Sequence, residues 1–101
     1  MNRGIAFHSL AEEELNDALA FYYAERPALG HAFLKEVSRG LDQILTFPEA
    51  APLVNRVVRR KLLWRFPYGI IYSVTPEMIW ILAVAHQKRR PFYWRDRRQQ
   101  P

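Results

Sequence analysis

Between Pro48 and Pro52 the apolar residues change period, and no other feature of this chain restricts its fold as much. Upstream they recur with the 3.6-residue period of a helix face; downstream they alternate, as on a strand. Leu15, Ala18, Leu19 and Tyr22 fall at i, i+3, i+4 and i+7, which predicts a helix over 9–24. Ser9 and Glu12 have the spacing of a capping box. Glu12, Glu13 and Glu14 suit the positive end of the helix dipole. Phe33, Val37, Leu41, Ile44 and Leu45 predict a second helix over 27–46, with Pro27 at a first helical position and Pro48 beyond the end. The short connection at Arg26-Pro27 makes the two an antiparallel hairpin. Gly30 and Gly40 each cost about 1 kcal/mol against alanine inside a helix. Gly40 is expected to let the two helices approach closely.

Alternation predicts strands at Val57–Arg65, Tyr68–Val74 and Ile79–His86, with a short first strand over Arg3–Phe7. Phe66-Pro67-Tyr68-Gly69 and Thr75-Pro76-Glu77 supply the turns, so the last three strands form an antiparallel meander. The run Ile79 to Ala85 is apolar on both faces, as in a central strand. The fold class is α+β, in the order β-α-α-β-β-β, as a single domain over 1–101. The helix hairpin packs on one face of a small, mainly antiparallel sheet. The other face is left for basic residues. The expected core is Leu15, Leu19, Phe33, Val37, Leu41, Ile70, Tyr72, Ile79 and Ile81. One helical turn is expected after Pro91.

Charge divides along the chain as the periodicity does. Residues 1–54 carry eight acidic and four basic residues, a net of −4; residues 55–101 carry two acidic and eleven basic, a net of +9. The segment from Gln87 to Arg98 places Phe92, Tyr93 and Trp94 among its arginines. Such a half meets phosphates or an acidic partner. There is no cysteine, which removes disulfide and thiolate chemistry and fits a reducing, cytoplasmic setting. The longest apolar run, Met78 to Ala85, is eight residues, against about 20 for a membrane helix, so no membrane association is expected. Nor does the N-terminus read as a signal peptide.

Chemistry-bearing residues are few. On the second strand Arg59, Lys61 and Arg65 share one face with Leu63, while Val58, Leu62 and Trp64 share the other; Arg60 breaks the pattern. Arg89, Arg90 and Arg95 follow the last strand and could join these cations in one groove. The alternative is a solvated basic face. His86 ends the last strand where a general acid or base could sit, although a structural histidine fits equally. His8 and His31 read as structural or merely exposed. No metal-ligand spacing, glycine-rich phosphate loop or Ser-His-Asp order is present, so neither metal nor cofactor is expected.

The run Arg65-Phe66-Pro67-Tyr68-Gly69-Ile70-Ile71-Tyr72, the segment Ala85-His86-Gln87-Lys88-Arg89-Arg90-Pro91 and the early Ser9 to Leu15 together resemble the RelE/ParE superfamily of type II toxin–antitoxin systems. The resemblance spans nearly the whole chain. It implies a plasmid-stabilisation type of toxin, neutralised by an acidic antitoxin and oligomeric only through that antitoxin. RelE-like members cleave mRNA on the ribosome, and ParE-like members inhibit DNA gyrase without cleavage. Whether the chain is an enzyme stays open at this point. By this likeness the catalytic candidates are Arg65, Arg89, Tyr93 and His86. Arg59, Lys61, Arg90 and Arg95 are candidates for contacting nucleic acid or partner. His86 with Arg89 matches the H-x-x-R ending of ParE-like members; Tyr93 and the basic strand match the RelE-like side. The alternative from another class is a non-catalytic nucleic-acid-binding module, since aromatics between arginines suit base stacking.

Overall fold

The computed structural model describes residues 3–97. Six elements follow in the expected order: β1 (Gly4–Phe7), α1 (Ser9–Glu25), α2 (Pro27–Thr46), β2 (Val58–Leu62), β3 (Tyr68–Val74) and β4 (Met78–His86). The strands form one sheet in the order β1-β4-β3-β2. The last three are antiparallel neighbours, as the short turns require, whereas β1 lies parallel to β4, with Ile5 opposite Ile79. The helix hairpin is thus the crossover from β1 back to the meander.

The first helix is capped by His8 rather than Ser9. The His8 N–H is still bonded to Ile81 O of β4 at 2.9 Å. The chain leaves the sheet there, and the His8 Nδ1 accepts the Leu10 N–H at 3.1 Å. Ser9 is already helical, so the capping box does not form. Arg26 ends one helix and begins the next, with Pro27 following as the first residue of α2. The glycine that lets the helices approach is Gly30, where a Cβ would strike the Tyr23 ring of α1. Gly40 instead faces the sheet, where a Cβ would lie 3.2 Å from Ile70 Cδ1.

The main core lies between the hairpin and the sheet. Phe33, Val37, Ile70, Tyr72, Ile79 and Ile81 are buried there, as expected, with Ala11, Ala18 and Ile44. Leu15, Leu19 and Leu41 are only partly buried: α1 seats its small Ala11 and Ala18 most deeply and turns its leucines to the flanks, and Leu41 packs against the same core from α2. Tyr22, Phe33, Phe66 and Tyr68 close one end of this core with ring centroids 4.9–6.3 Å apart.

The second strand is shorter than alternation suggests, ending at Leu62. Beyond it Glu36 of α2 accepts the backbone N–H of both Trp64 and Arg65, the latter at 2.9 Å, and draws that segment towards the helix. The sheet face opposite the helices is not simply basic. Val58, Ile71, Leu82 and Ala83 form a second apolar cluster there, and the C-terminal tail covers it with Trp94, 5% exposed.

Candidate partner-binding groove and the tail that shapes it

Strand lengths set up the site. β4 has nine residues and its neighbour β1 only four. Past Ile81 no strand of the described residues lies beside the far edge of β4, and buried backbone groups there need other partners. Side chains supply them. The Glu14 Oε1 accepts the Val84 N–H at 2.9 Å, and Arg97 donates to Leu82 O at 2.8 Å. Glu14 and Arg97 then meet as a two-pronged ion pair, at 3.0 and 2.8 Å, the strong geometry for arginine and carboxylate. The Tyr93 hydroxyl donates to Glu14 Oε2 at 2.9 Å. Arg89 lies 3.8 Å from the Tyr93 ring centre and 3.9 Å from Glu14 Oε2. A run of i,i+3 turns from Arg90 to Arg97, with Phe92 at φ 59°, delivers these groups.

The network fixes the chemistry of its members. Burial holds the Tyr93 phenol well above its ordinary pKa, and the Glu14 hydrogen bond and charge add to this; Arg89 and Arg97 offset only part. Burial alone would lower the Arg97 pKa, but the hydrogen bond and charge of Glu14 outweigh it, so the guanidinium stays protonated. The His86 Nδ1 accepts the Lys88 N–H at 3.0 Å, and its ring stands edge-on to Tyr68. A neutral imidazole in that arrangement carries its proton on Nε2.

Beside this network a groove of about 520 Å³ opens on the tail side of the sheet, lined by Arg60, Leu62, His86, Arg89, Arg90 and Tyr93 among others. Four of the residues singled out from the sequence are therefore brought together: His86, Arg89, Arg90 and Tyr93. Others are not. Arg59 and Lys61 point to the helix side, the reverse of the expected open face. Arg59 is engaged there with the carbonyls of Glu49 and Ala51, at 2.9 and 2.7 Å. Arg65 and Lys61 line a different groove, against α2. Arg95 is exposed and outside both, and Arg98 lies outside the described residues. Arg60, Glu14, Arg97 and Trp94 were not foreseen. Arg60 could have been, because it is the one β2 cation out of phase with Arg59 and Lys61. Among the described residues no three His, Asp or Glu side chains come together as a metal site requires. Among the described residues no helix is long and apolar enough to cross a membrane.

The helix hairpin on a four-stranded sheet, with cations gathered beside a C-terminal tail, defines a small basic α+β protein. The family model described as the ParE toxin of the type II toxin-antitoxin system parDE matches residues 5–91 of the 101. The chain belongs to that family, within the RelE/ParE superfamily of toxins. No curated protein matches in sequence. Among solved structures, the chromosomal ParDE TA system from P. aeruginosa superimposes with a TM-score of 0.71 at 16% identity, covering 83% of this chain and 95% of that one. At that identity the likeness concerns the fold.

Proposed function

We propose that this toxin arrests growth by binding rather than by cleaving, with DNA gyrase as its target and the tail-side groove as its contact surface. One observation carries the reading: the groups in the groove and beside it that could accept a proton are already engaged. Glu14 accepts four hydrogen bonds, from Val84, Tyr93 and twice from Arg97, and a carboxylate has about four such sites. Tyr93 is held protonated, and His86 uses its acceptor nitrogen on the Lys88 backbone. Cleavage of RNA by its own 2′-hydroxyl needs a base for that proton. Binding needs only the cations Arg60, Arg89 and Arg90 and the aromatic rim. The same surface suits an acidic antitoxin segment, which would neutralise the toxin by covering it.

The test is supercoiling by gyrase and ribosome-dependent mRNA cleavage, assayed in parallel with purified toxin. Wild type should inhibit supercoiling and leave mRNA intact. Arg89→Ala should lose inhibition while staying folded, because its side chain is 53% exposed. Tyr93→Phe should keep most of the inhibition, since the ring remains. mRNA cleavage that Tyr93→Phe abolishes would overturn the reading in favour of the nuclease activity.

A further inference from the structure

A second groove, of about 730 Å³, lies on the opposite side of β2, between α2 and the segment that follows the strand. Lys35 and Arg39 enter it from one face of α2, four residues apart, and Lys61 and Arg65 from the sheet side. Among the described residues none of these four side chains makes a hydrogen bond or an ion pair. Glu36 is the one acid lining the groove, and its Oε2 is taken by the backbone of Trp64 and Arg65. Like charges at i,i+4 on a helix repel, so the arrangement costs stability unless an anion answers it. Gly40 lines the groove floor between the two walls.

At the mouth stands Trp64, 90% exposed, the largest such fraction among the exposed apolar side chains. No other ring of the described residues packs on it. Glu36 holds its backbone, so the indole is presented from a fixed point. Arg65 also lies 5.7 Å from the Phe66 ring centre, but no acid answers any of the four cations, and a free indole face beside such cations is the pairing by which single strands are held, with bases stacked on the ring and phosphates along the charges. An acidic peptide would be answered by the cations but would leave the indole face unused. The geometry points to this groove as a binding site for single-stranded nucleic acid, separate from the tail-side groove.

The test uses a fluorescein-labelled oligothymidylate of about 8 nucleotides, a length within the usual single-strand site size. Its anisotropy is followed on titration with the full chain in dilute salt. The oligonucleotide should bind and quench tryptophan fluorescence, and added salt should weaken it steeply. Trp64→Ala should weaken binding about tenfold, the scale of one base–aromatic stack, and should remove the quenching. That variant stays folded, the side chain being almost wholly in solvent. Arg39→Glu should weaken binding further and flatten the salt dependence, while Arg90→Glu, on the other groove, should not. Binding that is absent in dilute salt, or unchanged by Trp64→Ala, overturns the proposal. So does loss with Arg90→Glu alone, which would move the oligonucleotide to the tail-side groove. Equal displacement by polyglutamate would make the groove an acidic-peptide site and overturns it too. Neither growth arrest nor supercoiling enters the readout, so the result is independent of the gyrase reading.

Discussion

Four hydrogen bonds converge on Glu14, and two of its donors come from the last five described residues of the chain. Its side chain is 15% exposed and that of Arg97 11%, so removing one partner leaves a mostly desolvated charge. Glu14→Ala should cost about 3–5 kcal/mol, the scale for breaking a buried pair, and should also orphan the Val84 N–H. A denaturant melt checks this; a change under about 1 kcal/mol would place the network in solvent, where ion pairs contribute little. Glu12, Glu13 and Glu14 look alike as a run, and dipole reasoning treats them alike. The helical phase separates them: Glu14 lies three residues after Ala11 and four before Ala18, the two buried residues of α1. An acid on the buried stripe of a helix needs a cation, and that signal was present in the sequence. Its partner was not, since nothing local links residue 14 to residue 97.

At the scale of elements, the helices, their hairpin and the meander follow from period alone, with α2 matching its expected bounds. Alternation shows which residues share a face but not which face the helices cover. In β2 the run Arg59-Arg60-Lys61 has no apolar residue to decide it, and the answer comes from Val58 and Leu63, buried on opposite sides. Parallel pairing of β1 with β4 is likewise a long-range event without a turn to announce it. The course of the tail was not legible for a related reason: its arginines pointed to phosphates or an acidic partner, yet one large side chain decides its path. Trp94 packs against Val58, Ile71, Leu82 and Ala83. Trp94→Ala should therefore cost about 3–5 kcal/mol and bare the second cluster, measured as a lower melting temperature with new binding of a hydrophobic dye. A melt like that of wild type would mean that the tail does not close that face.

The whole molecule combines an acidic first half with a basic second half, and its tyrosines tie stability to pH. Tyr22, Tyr68, Tyr72 and Tyr93 all sit above their ordinary pKa, in each case first through burial. Tyr72 is drawn back in part by Arg59, and Tyr93 is pushed further by Glu14. The unfolded chain releases phenol protons near pH 10, while the folded chain keeps them to higher pH. Above that point the unfolded state binds fewer protons, so stability falls as pH rises. The contribution is fully present below about pH 10 and is lost as pH climbs towards the folded values. The denaturant midpoint should thus stay level through mildly alkaline pH and then drop, with most of the tyrosinate absorbance appearing as the chain unfolds. Tyr93→Phe should start less stable, having lost its hydrogen bond to Glu14, but should show a shallower drop. Titrating midpoint and absorbance together for both proteins decides it. A Tyr93→Phe profile as steep as wild type, or most of the tyrosinate appearing in the folded protein near pH 10, would mean that burial and Glu14 do not hold these phenols.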